Sequence, residues 1–259
     1  MLHLIITEQK PKGKAKLSTE HIIIMFVHAI KTIQKSMFPI FRVEQVNPTQ
    51  QQVSVVGTGF FISANGNFVS VAHVFDNKNT TTKYFYFGRL PDNLENPPIE
   101  IEEIVRDDSN DIFIGRVKKK TPNFLILSKK IPDIGRTVCI SGYPLAQLTS
   151  NAQGGLELGG VRRYFQPSFI LDYAKAQSDN GKGVIRTHDG FLVRDFGLFG
   201  MSGGPVFDTS GTVLGIQGSV TSPRVSTGGN GRSISVENAL TIKSALVLNF
   251  VKDRRIRFN

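Results

Sequence analysis

Short runs of apolar and β-branched residues, separated by turn-forming residues, dominate the hydrophobic pattern of the chain. Two such runs, at residues 57–63 and 68–72, flank a turn with the sequence Ala64-Asn65-Gly66-Asn67. An Asn-Gly turn between two apolar runs is a strong signal of a β-hairpin. The chain also contains 25 glycines, as many short strands and turns require. The pattern predicts an all-β fold with helices only near its ends.

Apolar residues are spaced as in a helix near both ends of the sequence. Ser18 or Thr19 can cap a helix that continues to about Ser36. The predicted apolar face of this helix consists of Ile22, Phe26, Ala29, Ile30 and Ile33. A second helix is predicted at residues 237–252. Residues 1–18 are polar and rich in lysine, so we expect a basic, flexible tail before the first helix.

One serine is surrounded by small residues in the segment Gly200-Met201-Ser202-Gly203-Gly204-Pro205-Val206-Phe207. The glycines on both sides of Ser202 allow the backbone to turn sharply and leave the hydroxyl uncrowded. A serine held in this way can act as a nucleophile when a histidine base and an orienting acid are supplied elsewhere in the fold. The segment therefore identifies Ser202 as a candidate nucleophile.

The order of residues along the chain limits which histidine can be the base. The five histidines are His3, His21, His28, His73 and His188. None follows Ser202, which excludes the order Ser, acid, His of the α/β-hydrolases. No aspartate precedes His73, which excludes the subtilisin order Asp, His, Ser for that residue. His188 lies beside Asp189-Gly190, a turn signal. The order His, Asp, Ser remains, with His73 as the predicted base.

Asp111 is the predicted acid partner of His73. His73 lies at the end of the second strand of the predicted hairpin, where a scaffold can present it rigidly; a buried core histidine is the alternative. Asp111 opens a strand-like run, where a carboxylate can be buried and still accept a hydrogen bond from the histidine ring. A turn residue at the start of a strand is the alternative for Asp111. We expect Asp76 to begin a loop and residues 107–108 to be solvated.

These motifs, in this order, resemble those of trypsin-like serine endopeptidases of the chymotrypsin fold, and most closely the disulfide-free Htr/Deg type. The matching segments are Gly57-Thr58-Gly59-Phe60, Val71-Ala72-His73-Val74, Asn110-Asp111-Ile112, residues 135–144 and residues 200–216. The resemblance covers about residues 22–250. It implies two six-stranded antiparallel β-barrels with the site in the cleft between them, an N-terminal helix and a C-terminal helix.

The resemblance also implies a role for each matching residue. Ser202 would be the nucleophile, His73 the general base and acid, and Asp111 the carboxylate that orients His73. The backbone N–H groups of Gly200 and Ser202 would form the oxyanion hole. The implied activity is hydrolysis of peptide bonds in a protein or peptide substrate through an acyl-enzyme. It needs no metal and no organic cofactor.

Two positions depart from the pattern of the family. Met201 stands where many secreted relatives carry an aspartate that pairs with a freed N-terminus, so that activation switch is absent. Gly218 stands where a serine is often found, which removes a possible second hydrogen bond to Asp111. Two rival hypotheses therefore stay open: a protease-fold binding module, and a protease that is latent until a partner orders its oxyanion loop.

Substrate-binding residues follow from the same resemblance. Phe196 occupies the position at the base of the primary specificity pocket, which predicts a preference for small or medium aliphatic side chains. Asp195 is one position away, and a slip of one residue in the alignment would change this preference to Lys or Arg. Gly218, Ser219 and Val220 would line an edge strand, where a substrate pairs its backbone as an added strand.

The resemblance divides the chain into three segments that together form one protease domain. They are a tail at 1–18, a helix and first barrel at 19–130, and a second barrel with the closing helix at 131–259. Loops are predicted at residues 92–98 and around the glycine pairs at 154–155 and 159–160. We expect no PDZ-like module after the protease, because the chain is too short for one. Met25 is an alternative first residue of the protein.

Composition narrows the class of protein further. Of the 259 residues, 40% are hydrophobic and 20% are charged, which is ordinary for a soluble globular protein. The single cysteine, Cys139, excludes an intrachain disulfide and is expected in the core. The apolar run at 22–30 is too short to cross a membrane and is followed by no small-residue cleavage site. We therefore expect cytoplasmic residence rather than secretion or export to the periplasm.

The formal net charge of +10 permits contact with nucleic acids or anionic membranes. No nucleic-acid-binding motif accompanies the charge, and aromatic residues are not interleaved with the basic runs as a stacking platform requires. A solvated basic surface is therefore preferred over a nucleic-acid interface. The helix before the first barrel fits a packing role as well as an oligomer contact, so the oligomeric state stays open.

Overall fold

The computed structural model describes most of the chain between residues 25 and 254. The described residues are 25–47, 50–76, 82–86, 98–144, 147–150, 156–159, 162–179, 183, 185–221, 224–226, 233–235 and 237–254. The tail predicted at 1–18, most of the loop at 92–98, and the glycines at 154, 155 and 160 lie outside them. None of the helices within these ranges is long and apolar enough to cross a membrane.

Six antiparallel strands close into a first barrel, in the order β1-β2-β3-β6-β5-β4. The strands are β1 (Met37–Asn47), β2 (Gln50–Phe61), β3 (Asn67–Ser70), β4 (Lys83–Tyr86), β5 (Ile99–Asp107) and β6 (Ile112–Val117). β1 pairs with both β2 and β4, which closes the sheet. The predicted hairpin is present as β2 and β3, joined by a turn in which Gly66 has φ +83°.

Aromatic side chains fill the first barrel. Phe38, Phe68 and Phe113 are almost fully buried, and the Phe38 and Phe68 rings meet edge to face with their centroids 5.1 Å apart. Phe75 stacks on Phe113 with a centroid distance of 3.7 Å. Each large ring buries about 150–250 Å². Because Phe75 comes two residues after His73, this packing anchors the segment that carries the predicted base.

The second half of the chain forms the other barrel and two small hairpins. The strands are β7 (Thr137–Gly142), β8 (Gln147–Ser150), β9 (Leu156–Gly159), β10 (Tyr164–Asp179), β11 (Ile185–Val193), β12 (Pro205–Phe207), β13 (Val213–Thr221), β14 (Arg224–Ser226), β15 (Ser233–Ser235) and β16 (Asn238–Lys243). The barrel order is β10-β11-β16-β13-β12-β7, and β8 pairs with β9 and β14 with β15. The predicted architecture of two six-stranded antiparallel barrels is confirmed.

Mostly aliphatic side chains fill the second barrel. Val138, Ile140, Val193 and Val206 are completely buried and belong to one cluster. Cys139 is also fully buried, and this burial raises the pKa of its thiol to about 12. A thiol in this state packs as a small apolar side chain.

Helix α1 (Val27–Ile33) covers the outside of the molecule near the first strand. Phe26, Ala29 and Ile33 are buried, as the predicted apolar face requires, and Phe26 meets Phe207 edge to face with centroids 5.9 Å apart. Since Phe207 belongs to the second barrel, the helix packs across to that barrel. Ile22, also predicted to share this face, lies outside the described residues.

Helix α2 (Ser244–Asp253) is shorter than the helix predicted at 237–252. Residues 238–243 form β16 instead, which pairs with both β11 and β13. Five of the six strand residues are buried, so both faces of this segment contact the protein. A short strand buried on both faces lacks the alternating pattern that separates strand from helix, and pairing on both sides decides in favour of the strand.

Candidate active site

A cleft of about 350 Å³ contains side chains from both barrels. His73 and Asp111 reach it from the first barrel, and Ser202 reaches it from the second. The three residues predicted to form a triad are therefore brought to one cavity from distant parts of the chain. Within the described part of the chain, no group of three or more His, Cys, Asp or Glu side chains is arranged to hold a metal ion.

His73 lies just beyond the strand that was predicted to carry it, in a short 3₁₀ helix, Ala72–Phe75. Its ring Nδ1 is 2.8 Å from Oδ2 of Asp111, and its backbone N–H donates to Oδ1 of the same carboxylate at 2.9 Å. The side chain of His73 is 32% exposed, whereas that of Asp111 is 0% exposed. Nδ1 is thus engaged by the acid, and Nε2 is the ring nitrogen left for chemistry.

Asp111 has an unusual backbone conformation. Its φ of +56° is the only positive φ of a non-glycine residue in the described ranges. Aspartate tolerates this left-handed region better than most residues, and such conformations are often found at functional sites. The carbonyl oxygen of Asp111 accepts a hydrogen bond from Ala72 N–H at 3.2 Å. The backbone and both carboxylate oxygens of Asp111 therefore bind the same short segment around His73.

Glycines shape the turn that carries Ser202. Gly200 has φ +95° and Gly203 has φ +86°, in the region that side chains rarely adopt. A Cβ atom on Gly203 would also overlap the carbonyl oxygen of Thr58 and the hydroxyl of Ser70. The turn can therefore approach the first barrel this closely only with glycine at position 203.

Thr58 of the first barrel holds this turn by two hydrogen bonds. Its N–H donates to the carbonyl oxygen of Ser202, and its hydroxyl donates to that of Gly200, both at 2.8 Å. The same hydroxyl accepts the N–H of Tyr143 at 3.1 Å. Thr58 is fully buried. The conformation of the nucleophile turn is thus determined in part by the opposite barrel.

Two backbone N–H groups of this turn are free of acceptors within the described residues. Met201 N–H donates to Leu198 O at 3.0 Å, and Gly203 N–H donates to Gln217 O at 2.8 Å. The N–H groups of Gly200 and Ser202 donate to nothing in the described part of the chain. A pair of unengaged N–H groups beside a nucleophile is what an oxyanion hole requires.

Ser202 and His73 face the same cleft without a hydrogen bond between their side chains in the part of the chain that is described. Nucleophile and base are often further apart in the absence of substrate and come together in the Michaelis complex. The side chain of Ser202 is partly buried, and no side chain follows it at positions 203 and 204.

The predicted specificity residues are only partly brought to the cleft. Gly218, Ser219 and Val220 line it, whereas Phe196 does not and is 45% exposed. Asp195, the alternative residue at the base of the pocket, forms an ion pair with Arg194 at 3.0 Å. Neither Phe196 nor Asp195 is among the described residues that line the cleft.

Gln217 is a cleft residue that the sequence analysis missed. It is only 2% exposed, lines the cleft and donates from Nε2 to the carbonyl oxygen of Ser219 at 2.9 Å. A side chain on Gly197 would meet the Gln217 amide, so the two residues fit together at one wall. The available signal was a single polar residue in the otherwise apolar run 213–218, since buried polar residues usually have a specific role.

Arg186 and His188 of β11 were also missed. The dipeptide Asp189-Gly190 after His188 is a turn signal in the sequence, but β11 continues through it. Gly190 is required for another reason, since a Cβ atom there would overlap the backbone of Thr241 in β16. The signal was the spacing of Arg186 and His188, which places both side chains on one face of a strand.

The aspartates near the site are engaged rather than free. Asp76 accepts hydrogen bonds from Arg106 at 3.2 Å and from Arg186 at 2.6 Å. Asp107 and Asp108, which were expected to be solvated, also have partners. Asp107 accepts the N–H of Asn110 at 3.0 Å, and Asp108 pairs with Arg106. The turn before Asp111 is therefore fixed by its own acidic side chains.

Comparisons with known proteins agree with this geometry. A family model described as "Trypsin-like peptidase domain" matches residues 57–216. "Serine protease Rv3671c" of Mycobacterium tuberculosis is 25% identical over 181 residues, which are 68% of this chain and 39% of that protein. "Uncharacterized protein y4bJ" of Sinorhizobium fredii is 27% identical over 173 residues, which are 65% of this chain and 22% of that protein. The chain thus matches less than half of the length of these curated relatives.

Solved structures show the same fold. The active form of the Rv3671c protease from M. tuberculosis superposes with a TM-score of 0.62 at 19% identity, covering 97% of this chain and 93% of that one. The HtrA-type protease AlgW with a decapeptide gives a TM-score of 0.59 at 16% identity, covering 88% of this chain and 67% of that one. The predicted resemblance is confirmed, and because the family model spans more than half of its residues, this chain belongs to the trypsin-like peptidase domain family.

Proposed function

We propose that this protein is a serine endopeptidase that uses Ser202, His73 and Asp111 as its catalytic triad. The observation that carries the proposal is the 2.8 Å contact between His73 Nδ1 and Asp111 Oδ2, in a cleft that Ser202 also lines from the opposite barrel. Membership of the trypsin-like peptidase family supports it. The wider activity, substrates and partners of the protein belong to the same proposal.

In the proposed mechanism, Asp111 holds His73 in the tautomer that carries its proton on Nδ1. The lone pair on Nε2 then accepts the proton of Ser202 Oγ as this oxygen attacks the carbonyl carbon of the substrate. His73 next donates that proton to the leaving amine, and the acyl group stays on Ser202. A water molecule releases the acyl group by the same steps in reverse order. Asp111 stays ionised and stabilises the imidazolium of His73.

The N–H groups of Gly200 and Ser202 are proposed to stabilise the oxyanion of the tetrahedral intermediate. Both are free of acceptors in the described residues, while the neighbouring N–H groups of Met201 and Gly203 are engaged. Such donors act on charge that develops only in the transition state, and one of them is worth about 3–4 kcal/mol.

The substrate is proposed to bind as an extended strand along residues 219–221. Pairing between β12 and β13 ends at Ile216, whereas β13 continues to Thr221 with β16 as its partner on the other side. Among the described residues, no strand pairs with the edge beside Ser219 and Val220, so a peptide can pair there through its backbone. Val220 is 39% exposed, so it can also contact a substrate side chain.

Labelling with a fluorophosphonate probe tests this proposal, because the probe needs an activated serine and an oxyanion hole. Wild-type protein is expected to be labelled at one serine, and both Ser202→Ala and His73→Ala are expected to abolish the label. Circular dichroism serves as the control that each variant is folded. Folded wild-type protein that neither takes the label nor cleaves a peptide library would contradict the proposal. Labelling only after addition of a cell fraction would indicate a latent protease.

A further inference from the structure

The carboxylate of Asp111 is completely buried, so its charge needs compensation. Its side chain is 0% exposed, and an ionised carboxylate in such a place is costly unless it is paired and hydrogen-bonded. The first barrel supplies two donors, which are Nδ1 and the backbone N–H of His73. A carboxylate has about four acceptor positions. Further donors must therefore come from elsewhere, and Gly218 has no side chain with which to provide one.

Arg186 approaches Asp111 from the second barrel. Its side chain is 6% exposed, and its Nε lies 3.4 Å from Asp111 Oδ1. This Nε makes no hydrogen bond to any other described residue. Nη2 of the same guanidinium donates to Asp76 Oδ1 at 2.6 Å, which fixes the plane of the group. The positive charge of Arg186 is thus held against the oxygen that also accepts the N–H of His73.

His188 approaches the other oxygen of the same carboxylate. Its side chain is 4% exposed, and its Nδ1 lies 3.9 Å from Asp111 Oδ2. This nitrogen has no hydrogen-bond partner among the described residues, although it is buried. Nε2 lies 3.1 Å from the hydroxyl of Ser178. When Ser178 donates to Nε2, the proton of the neutral ring resides on Nδ1 and points to Asp111.

One backbone hydrogen bond brings both residues to the acid. Thr187, which lies between them, donates its N–H to the carbonyl oxygen of Ser109 at 2.6 Å. Ser109 belongs to the turn that leads to Asp111, so β11 is docked on the opposite barrel at this point. Since side chains alternate along a strand, Arg186 and His188 share one face of β11. Both of them line the cleft together with Asp111.

We propose that Arg186 and His188 are positioning residues that hold the carboxylate of Asp111 against His73 from the second barrel. They provide the support that residue 218 cannot give. Arg186 places its positive charge beside Oδ1 of Asp111, and His188 directs its ring Nδ1 to Oδ2. This inference rests on the proposed function, since it assigns the support of the same triad. The groups around the acid are His73 and Asp76 from the 3₁₀ helix and its end, Arg106 and Asp108 from the first barrel, and Arg186 and His188 from β11.

Kinetics of Arg186→Gln and His188→Ala test the proposal. Both variants are expected to lower kcat about 10- to 100-fold, as misplacement of a catalytic group by about 1 Å does, with KM nearly unchanged because neither residue forms the substrate edge. Asp189→Asn is the matched control. Asp189 lies on the same strand and pairs with Lys243 at 2.5 Å, away from Asp111. Its variant is expected to retain wild-type kcat. Thermal unfolding identifies any variant that is merely unfolded.

A rescue variant separates support of the acid from simple packing. A Cβ atom on Gly218 would lie 3.2 Å from Ile242 Cγ1, which must shift by a few tenths of an ångström, and 3.4 Å from His188 Nδ1, so a longer side chain would extend beside the His188 ring. In the His188→Ala background, Gly218→Ser gains space and can direct its hydroxyl to Asp111. Recovery of at least part of kcat is expected. Failure of the folded double variant to recover any kcat would assign His188 a packing role instead.

NMR spectroscopy tests the inference without any measurement of substrate turnover. In Ser202→Ala protein labelled with ¹⁵N, the proton on His73 Nδ1 reports directly on the hydrogen bond to Asp111. Arg186→Gln and His188→Ala are expected to broaden this resonance or move it upfield, and Asp189→Asn is expected to leave it in place. An unchanged resonance and unchanged kcat in both folded variants would overturn the inference while leaving the proposed protease intact. An inert wild-type enzyme with a resonance that responds would contradict the proposed function alone.

Discussion

The two sides of the cleft are built in different ways. On the first barrel, the base and the acid are joined directly: His73 contacts Asp111 through its ring and its backbone, at 2.8 Å and 2.9 Å. On the second barrel, Ser202 lies on a glycine turn whose carbonyl groups are held by Thr58 of the first barrel. The contact between base and acid is therefore made within the first barrel, with Arg186 and His188 approaching the acid from the second, whereas the nucleophile turn itself is held from across the cleft. Substitutions on the two sides are therefore expected to have different effects on activity and stability.

Loss of either side of the triad is expected to have the largest effect. Ser202→Ala and His73→Ala should each lower kcat by about 10⁶-fold, and the double variant should be no worse than either single one, because the residues act as a unit. The measurement is hydrolysis of a peptide ester or amide by each purified variant. Losses that add up in the double variant would mean that the two sides act independently, which would contradict the assignment of one triad.

Gly203→Ala is expected to have the largest effect on stability. Position 203 combines φ +86° with overlap against Thr58 and Ser70, so strain and overpacking should together cost roughly 3 kcal/mol or more. Gly135→Ala is the matched control, since Gly135 has φ +81° and no atom within 4 Å of an added Cβ. Its cost should be about 1–2 kcal/mol, from the backbone alone. Urea denaturation measures both.

Equal losses in the two glycine variants would show that close approach to the first barrel contributes nothing at position 203. In that case the nucleophile turn would be held by its own backbone rather than by the opposite barrel.

Thr58→Val tests whether the hydrogen bond from Thr58 to the nucleophile turn contributes to catalysis as well as to the stability of the fold. The substitution removes the hydroxyl that donates to Gly200 O and accepts Tyr143 N–H, and leaving buried partners unsatisfied should cost about 1–3 kcal/mol. We also expect kcat to fall, because the N–H of Gly200 would no longer be held in place. Thr121→Val is the control: Thr121 is a buried threonine whose hydroxyl donates to Ser63 O at 2.8 Å.

Thr121→Val should lose stability by a similar amount and keep its kcat, because the hydrogen bonds of Thr121 go to Ser63 O and Ala64 O and not to the nucleophile turn. Stopped-flow acylation of the two variants, compared with their urea denaturation curves, gives the two quantities separately. If both variants kept wild-type kcat, Thr58 would contribute to stability only.

The local side of the site was the easier one to predict from the sequence. The hairpin of β2 and β3 has an Asn-Gly turn between two apolar runs, and this signal depends on neighbouring residues alone. The chain order His, Asp, Ser follows from exclusion of the other orders known for this chemistry, and Asp111 is then preferred because it opens a strand-like run. Both inferences need no knowledge of which distant residues meet, which is why the sequence supports them.

Residues whose role depends on contacts between distant strands were missed. In the sequence, Gly190 is the second residue of an Asp-Gly pair that is typical of turns. In the structure, glycine is required there because β16 passes too close for a side chain. Because Asp189-Gly190 was interpreted as a turn, the strand that carries Arg186 and His188 was not predicted. These two residues reach Asp111 only because β11 docks on the opposite barrel. The position of Phe196, which does not line the cleft, also depends on distant contacts, because the path of residues 194–199 is held by bonds such as that from Asn238 Nδ2 to Arg194 O at 2.9 Å.

The smallest expected effect concerns the pH dependence of stability. Burial lowers the pKa of His188 from its usual 6.5, with a contribution in the same direction from Arg186 and His73, and Asp111 opposes the shift. The folded protein therefore binds a proton at His188 less readily than the unfolded chain does. Stability contributed by this residue is present above pH 6.5 and is lost as the pH falls below that value.

His188→Gln removes this titration and keeps a polar side chain of similar reach. The free energy of unfolding of wild type minus that of His188→Gln should therefore decrease as the pH is lowered from about 7 to about 5, across the range where histidine titrates. Thr121→Val is the control, because it exchanges one side chain that does not titrate for another, and its difference from wild type should stay flat. Urea denaturation at several pH values measures both differences. A flat difference for His188→Gln would mean that the ring takes up a proton as readily in the folded protein as in the unfolded chain, so that attraction to Asp111 offsets the effect of burial.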